Sequence, residues 1–354
     1  MKEIELDRRD QEILEAVIES YVETGEPVGS RTVARSNREK LSAATIRNVM
    51  ADLEERSLLV QPHASAGRVP TDLGYRAYVD ALAKNQRLPA PDERLIESCL
   101  KDSQGEIHDL FGSVSKLLSR LSNHMGVVVS PHIARVRLRD IEFVRLGSRR
   151  VLVIVVAASG MIHNKVVEIE EDHEQEKLDK IGRYLTEEFK GNTLSEVRDR
   201  ILDLMGQEKA LYDSLLRDAL KLGKAGLAID ETNEAAGAEV FLDGTANLLS
   251  EPEFASVERL KALFRTFEEK HQLLRVLQSC LENGELGVQV LIGRENPSPE
   301  MSDCALIASS YGLQGQTLGT LGIIGPTRME YARAIALVDS VSRLFSHVLS
   351  RYQG

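Results

Sequence analysis

The sequence is poor in cysteine and has no long apolar run. Its three cysteines, Cys99, Cys280 and Cys304, form no CxxC pair and no Cys/His spacing of the zinc-ligand type. We expect them to be buried small apolar residues in a reducing compartment. No stretch reaches the roughly 18 apolar residues of a membrane span, and MKEIELDRRDQ at the start has no apolar signal-peptide core. The sequence therefore predicts a cytoplasmic protein without a structural metal or a membrane contact.

Catalytic motifs are also missing. There is no GxSxG nucleophile motif, and the spacing of His163 and His173 fits neither a metal-binding helix nor a catalytic triad. The run GLQGQTLGTLGIIGPTR (residues 312–328) lacks the lysine of a P-loop and the GxGxxG spacing of a dinucleotide site, so turn glycines explain it better. We expect no catalytic residue and no cofactor. An anion or a small metabolite near Arg328 and Tyr331, where a helix is predicted to follow a strand, stays open as a hypothesis.

Positive charge is scarce and concentrated in one segment. The formal net charge is -11, so the average field of the chain repels nucleic acid and any nucleic-acid site must be a local exception. Residues 1–27 hold 3 Lys/Arg and 9 Asp/Glu, a net of -6, whereas residues 28–76 hold 8 and 5, a net of +3. Such a local reversal is what phosphate binding requires.

Three helical patterns fill residues 7–57. Asp7 is the expected N-cap of the first, whose apolar stripe runs to Tyr21 before GEPVG (residues 25–29) interrupts it. SRTVARS predicts a short second helix, and Ser42 is expected to cap the third. SLLVQP and GRVPTDLGYRAYV then predict two short strands around the loop HASAGR. This succession of three helices and a hairpin is the order of a winged helix-turn-helix.

The third helix has one apolar face and one face of small and polar residues. The apolar face consists of Ile46, Val49, Met50 and Leu53. The opposite face carries Ala44, Arg47, Asn48 and Ala51, where a solvated helix would ordinarily carry long Lys/Glu pairs. Small residues let a helix enter the major groove of DNA, in which Arg47 can bind guanine or a phosphate and Asn48 can pair with adenine. Ser42 and Thr45 can hold a phosphate at the helix N-terminus.

The second helix and the hairpin loop supply further candidate DNA contacts. We expect Ser30, Arg31 and Thr32 to face the duplex from the second helix. His63 and Arg68 would face it from the wing, where Arg68 lies at the predicted loop tip and can reach the minor groove or the backbone. Two other interpretations stay open. The segment could be an ordinary three-helix packing module whose alanines serve helix propensity, or a winged helix that binds only protein.

The rest of the chain predicts an α/β domain with an insertion. After a linker, KNQRLPAPDE, residues 107–121 predict one amphipathic helix. IEFVRL, RVLVIVVAA and MIHNKVVEI predict a three-strand meander, and further strands follow in EVFLDG, LGVQVLIG, CALIASSYG and TLGTLGIIG before a last helix. Because neither strand block alone could bury both of its faces, we predict that both join in one sheet. A mostly helical insertion, residues 172–250, would interrupt it.

Several long motifs resemble the HrcA family of heat-inducible transcription repressors. They are LDRRDQEIL, EPVGSRTVA, ATIRNVMADLEERSLLVQPHASAGRVPTDLGYRAYVD and GTLGIIGPTRMEYARAI. The resemblance runs nearly end to end, although the inserted middle matches only in length and helical character. It implies an α+β multidomain fold: a winged helix-turn-helix domain (1–88), a GAF-like α/β domain (89–171 and 251–354) and a dimerising insertion (172–250).

The function that this resemblance implies is repression of chaperone genes. A homodimer would bind double-stranded operator DNA at an inverted repeat upstream of chaperone operons, its activity would depend on the GroEL chaperonin, and it would catalyse nothing. The recognition helix would correspond to residues 42–56 and the wing to residues 63–70. Family members often have proline and glycine where this chain has Ala43 and Ser57, and serine suits a left-handed helix end less well than glycine.

RVLVIVVAA offers a physical reason for dependence on a chaperonin. A long apolar strand in a sheet split by an insertion predicts slow folding and a risk of aggregation. The main rival to this function is a ligand-sensing transcription regulator whose GAF-like domain binds a small metabolite.

Overall fold

The computed structural model describes residues 6–36, 41–63, 65–82, 88–102, 107–132, 136–147, 149–158, 160–169, 171–205, 214–226, 238–254, 256–269, 272–277, 287–313 and 316–351. The chain is a mixed α+β protein with antiparallel sheets. Buried apolar side chains of these residues form three clusters. One joins the N-terminal helices to a face of the central sheet, one covers the opposite face of that sheet, and one belongs to a separate unit.

The N-terminal unit has the predicted order of three helices and a hairpin. Its elements are helices α1 (Arg8–Thr24), α2 (Ser30–Ser36) and α3 (Ala43–Glu55), strands β1 (Leu59–Val60) and β2 (Val69–Pro70), and helix α4 (Asp72–Ala81). Asp7 caps α1 as predicted, because its carboxylate accepts a hydrogen bond from the N–H of Asp10 at 2.7 Å. The chain leaves α1 through Gly25, whose φ of 69° ends the helix in the left-handed region.

The second predicted strand is wrong beyond Pro70, because the residues that follow form α4. The hydroxyl of Thr71 accepts from the N–H of Gly74 at 3.1 Å and donates to the carbonyl of Ser57 at 2.7 Å. Gly74 lies against the backbone of Leu58, where an added Cβ would be 2.1 Å from the carbonyl oxygen. A threonine N-cap followed by aspartate in the first turn is a helix-start signal, and here it outweighs the local alternation of apolar residues.

A five-stranded antiparallel sheet forms the centre of the C-terminal half. In spatial order its strands are β7 (Val240–Asp243), β3 (Met125–Val129), β10 (Gln316–Pro326), β9 (Cys304–Leu313) and β8 (Val288–Ile292). One face is covered by helices α6 (Ile107–Ser122) and α12 (Tyr331–Arg351), against which α5 (Ala90–Asp102) packs. The opposite face is covered by α10 (Thr245–Leu249), α11 (Val257–Glu268) and the helical residues 272–277. The sheet is therefore buried on both sides.

Sequence expectations for the helices and strands of this half are partly met. The amphipathic helix over residues 107–121 and the last helix are confirmed by α6 and α12. Strand β3 was not predicted, because a run as short as MGVVV cannot be distinguished from a buried helix segment by its periodicity. The predicted linker KNQRLPAPDE already contains the start of α5, with Pro91 in the first turn, where a helix needs no N–H. Residues 84–87 of that linker lie outside the described residues.

The prediction of one sheet joining both strand blocks is wrong. The meander forms as predicted, but its strands β4 (Leu138–Gly147), β5 (Arg150–Ala157) and β6 (Ile162–Glu168) make a separate sheet. Helices α7 (Gln175–Phe189), α8 (Leu194–Met205) and α9 (Ser214–Gly226) share a core with it. The meander thus takes its covering layer from these helices, whereas β7 and α10, which the predicted insertion included, belong to the central sheet.

The cysteines differ in burial. Cys304 is buried in β9, and burial raises the pKa of its thiol to about 12. Cys99 is half-buried, and Cys280 lies outside the described residues. Within the described ranges no group of three or more His, Cys, Asp or Glu side chains could hold a metal ion, and no helix is long and apolar enough to cross a membrane.

Replacing Ser57 by glycine is expected to stabilise the protein. Ser57 follows α3 with a φ of 61°, a conformation in which the Cβ of an L-residue is strained. Ser57→Gly should raise the free energy of unfolding by about 1 kcal/mol, measured by urea denaturation. Ser57→Ala is the control, because it removes the hydroxyl and keeps the strained Cβ. An equal gain in both variants would contradict the strain argument.

Candidate nucleic-acid interface

Helix α3 is built as the sequence predicts. The hydroxyl of Ser42 accepts from the N–H of Thr45 at 3.1 Å and lies 2.9 Å from the Thr45 hydroxyl, so it caps the helix. The apolar face is fully buried against α1 and α2 and consists of Ile46, Val49, Met50 and Leu53. The two capping hydroxyls already serve the helix. A phosphate at this end would therefore meet mainly the N–H groups of the first turn, which have no partner within a helix.

The opposite face of α3 is open to a partner. Ala44, Arg47 and Asn48 are exposed, and Ala51 is half-buried. The side chains of Arg47 and Asn48 make no hydrogen bond or ion pair with any described residue. The neighbouring residues on this face of α3, Ala44 and Ala51, have small side chains. The helix can therefore approach another surface closely.

Helix α2 leaves two of the three residues predicted to contact DNA exposed. Arg31 and Thr32 are exposed, and Arg31 has no ion-pair partner among the described residues. Ser30 is only 9% exposed, so its predicted role as a side-chain contact is not supported by its position. Arg35, which the sequence analysis did not single out, is exposed at the last turn of the same helix. The local excess of positive charge in residues 28–76 was the signal that could have identified it.

The wing places Arg68 at its base, so the prediction that this arginine lies at the loop tip is wrong. The N–H and carbonyl of Arg68 pair with those of Val28, both at 2.9 Å, which adds a third segment to the hairpin. The guanidinium donates to the Glu54 carboxylate at 2.9 Å and its side chain is 16% exposed. Gly67 permits this approach, since a Cβ there would lie 2.5 Å from the backbone of Val28. His63 is the exposed candidate of the loop itself.

Arginines of the N-terminal unit fall into two groups. Arg56 pairs with Asp10 at 3.4 Å, and Arg68 pairs with Glu54 as described. In contrast, Arg31, Arg35 and Arg47 have no carboxylate partner within the described part of the chain. Positive charge that no described carboxylate neutralises therefore lies on α2 and on the exposed face of α3, and also at Arg9 in the first turn of α1.

At the alternative site near Arg328 and Tyr331, the arginine is already paired with carboxylates and is not available to bind an anion. Arg328 donates to Glu253 at 2.5 Å and lies 3.7 Å from Glu251, and the hydrogen bond to Glu253 raises the pKa of its guanidinium. Tyr331 is fully buried and begins α12 after Arg328, which is later than predicted. Beside them is a cavity of about 350 Å³, also lined by His124, whose pKa burial lowers to about 4. This imidazole is therefore neutral near pH 7.

Comparison with known proteins identifies the family of this chain. A model of the family described as "HrcA protein C terminal domain" matches residues 108–335. The heat-inducible transcription repressor HrcA of Geobacter sulfurreducens is 44% identical over 345 residues, which cover 98% of each chain. The chain belongs to the HrcA family. The heat-inducible transcription repressor HrcA of Syntrophobacter fumaroxidans is 39% identical, again over 98% of each chain. HrcA proteins are DNA-binding transcription repressors and not enzymes.

A solved structure supports the fold of this HrcA family member. It is described as the crystal structure of a hypothetical protein at 2.2 Å resolution. It matches with a TM-score of 0.57 and 21% identity and covers 99% of this chain and 98% of the other. The match extends over the whole chain, and it concerns the architecture alone.

Proposed function

We propose that this HrcA protein is a dimeric repressor that binds an inverted-repeat operator upstream of chaperone operons. One observation carries the proposal: α3 buries one face in the N-terminal unit and leaves Arg47 and Asn48 exposed and unpaired on the other. The relatives described above are named heat-inducible transcription repressors, which supports the assignment to heat-shock genes.

The proposed contacts divide into base reading and phosphate binding. Helix α3 enters the major groove, where Arg47 binds the O6 and N7 atoms of guanine and Asn48 pairs with adenine. Arg31 and Thr32 on α2 and His63 on the wing bind phosphates and fix the register of the helix. Arg68 has a different role from the one first expected. Through Glu54 it braces the wing against α3.

The separate three-stranded sheet supports a dimer. Its uncovered face is mostly apolar, with Glu142 and Asn164 as polar residues beside Ile154, and its apolar residues are Val144, Leu146, Leu152, Ile154, Val156, Ile162 and Val166. Ile162 is 67% exposed, and such an apolar sheet face is typical of an interface. We propose that the insertion comprises residues 136–226 and that this face pairs two copies. The five-stranded sheet covered on both faces would be the GAF-like domain, and residues 1–88 the winged-helix domain.

Dimerisation increases both affinity and specificity. Two winged helices related by a two-fold axis read two inverted half-sites, and the second half-site is bound at high effective concentration. An acidic chain needs this gain, because its overall field opposes each contact with DNA.

The order in which the strands pair supports a dependence on chaperonin. Strand β3 pairs with β7 and β10, which the chain reaches only after the whole insertion. Long loops must therefore close before the central sheet can form, which slows folding. Meanwhile the apolar strand β5 is exposed to aggregation. We propose that GroEL keeps this protein folded, so that heat-damaged clients which occupy GroEL lower the amount of active repressor.

Arg47→Ala is expected to weaken specific DNA binding. The substitution should cost about 1–3 kcal/mol on a duplex carrying the inverted repeat and much less on a scrambled duplex, because only the first loses a base contact. Fluorescence anisotropy across a range of salt concentrations measures both. Arg56→Ala is the matched control, since this arginine pairs with Asp10 and has no proposed DNA contact. Equal losses on the two duplexes would remove Arg47 from base reading.

Ile162→Asp is expected to convert the dimer into a monomer. A carboxylate within an apolar interface loses its hydration without gaining a partner, so association is disfavoured. Light scattering over a range of protein concentrations measures the change in mass. Leu249→Asp is the control because Leu249 is 58% exposed on α10, away from the three-stranded sheet. A variant that stays dimeric would show that this sheet face is not the interface.

Refolding is expected to require chaperonin. The protein diluted from denaturant should recover little operator binding alone, and GroEL with its co-chaperonin and ATP should raise the recovered fraction several-fold, because bound chains cannot aggregate through β5. Operator binding by anisotropy gives the active fraction. A high yield without chaperonin at micromolar protein would contradict the proposed dependence.

A further inference from the structure

Two of the motifs in this sequence lie away from the DNA-binding face. Each belongs to one domain and has side chains that contact the other domain. GYRAYVD lies in α4 of the N-terminal unit, and GPTRMEYAR joins β10 to α12 in the C-terminal half. Side chains of both motifs cross the boundary between the N-terminal unit and the central sheet. We call these crossing contacts the interdomain clamp and define its residues in the next paragraphs.

The first half of the clamp is Arg76 of α4. Its guanidinium donates to both carboxylate oxygens of Glu295, one of them at 2.8 Å from Nε. It also donates to the carbonyl of Val290 in β8 at 2.6 Å. The Arg76 side chain is 14% exposed, so these bonds are largely shielded from water. A two-pronged arginine–carboxylate pair restricts orientation as well as distance, which a single contact would not do.

The second half of the clamp is Arg328. Its guanidinium donates to the carbonyl of Val22, in the last turn of α1, at 3.0 Å and to the carboxylate of Glu253 at 2.5 Å. The carbonyls of a last helical turn have no partner within the helix, so Arg328 satisfies one of them and favours the negative end of the helix dipole. Arg328 therefore attaches α1 to the central-sheet domain, whereas Arg76 attaches α4.

Two further contacts strengthen the clamp. The rings of Tyr75 in α4 and Tyr331 in α12 lie 5.5 Å apart, and both side chains are buried. The carboxylate of Asp72 accepts from the N–H of Arg294 at 3.2 Å. Neighbouring Gly293 makes room for it, since an added Cβ would lie 2.2 Å from the Asp72 carboxylate. Contacts on two separate helices restrict rotation of the N-terminal unit as well as translation.

We propose that Arg76 and Arg328 are positioning residues for operator recognition: they fix the orientation of each winged helix on its central-sheet domain and thereby set the spacing of the two half-sites. This inference rests on the proposed function, in which a dimer binds an inverted repeat. A winged helix attached only through its linker samples many orientations, which lowers the effective concentration at the second half-site. A clamped winged helix is already held near the second half-site.

The test loosens the clamp without touching the DNA-binding face. Glu295→Gln and Glu253→Gln remove the two carboxylate charges and keep the side-chain volume, singly and together. Arg343→Ala is the matched control, because Arg343 forms an exposed ion pair with Asp339 within α12 and makes no contact with the N-terminal unit. Thermal melting by circular dichroism selects conditions in which every variant is folded.

Binding is measured by anisotropy on three kinds of duplex: a single half-site, the inverted repeat at its natural spacing, and repeats whose spacing is changed by about half a helical turn, roughly 5 base pairs. We expect the double variant to bind the half-site within about twofold of wild type. We expect its affinity for the natural repeat to fall by about tenfold or more, with little preference left among spacings. The control variant should behave as wild type does.

Other outcomes overturn the inference in distinguishable ways. A folded double variant that keeps the wild-type preference among spacings overturns the positioning role alone. A variant that loses half-site and repeat binding equally shows damage to the winged helix itself, which also overturns it. Wild-type protein that binds the inverted repeat no better than a half-site overturns the proposed dimeric function, and this inference with it.

Discussion

A DNA-binding surface on a chain of net charge -11 depends on which arginines are left without an internal carboxylate partner. Arg56, Arg68, Arg76 and Arg328 each form an ion pair within the protein. These ion pairs neutralise the arginine charges and hold α1, the wing and α4 in place. Arg31, Arg35 and Arg47 have no such partner among the described residues, so their charges on α2 and α3 are available to attract a phosphate backbone. Internal ion pairing thus separates the structural arginines from those that are available to DNA.

Local features of the N-terminal unit could be predicted from the sequence, and contacts distant in sequence could not. The cap at Ser42 and the two faces of α3 depend on residues within one or two helical turns, and both predictions are confirmed. The base position of Arg68 depends on its backbone pairing with Val28, forty residues earlier, and on Glu54. No spacing within the loop signals either contact. The burial of Ser30 could not be predicted for the same reason, because it is decided by packing and not by neighbouring residues in the sequence.

The separate sheet was beyond prediction because both strand blocks have the same local pattern. A run such as RVLVIVVAA predicts a strand that is covered on both faces, so we expected both strand blocks to join in one covered sheet. In the structure α7 and its neighbours cover one face of β5, and the other face is open within a single chain. If a second copy covers that face, as proposed, the pattern on β5 records an intermolecular contact. A sequence cannot distinguish that case from burial within one chain.

The residues of the wing and α4 form a continuous series of contacts that begins at the end of α3. Glu54 at the end of α3 holds Arg68 at the base of the wing, and the Thr71 hydroxyl bonds to Ser57 immediately after α3 while it caps α4. Gly74 then lets α4 lie directly on the backbone of this turn.

Two residues further on, Arg76 carries the connection to the central-sheet domain through Glu295. Each link is a direct hydrogen bond, ion pair or packing contact, so the position of α3 is tied to that of the central-sheet domain. The angle between α3 and the dimer is therefore set by packing and hydrogen bonds along this one stretch of about twenty residues, which is why a single motif contains wing, cap and clamp residues together.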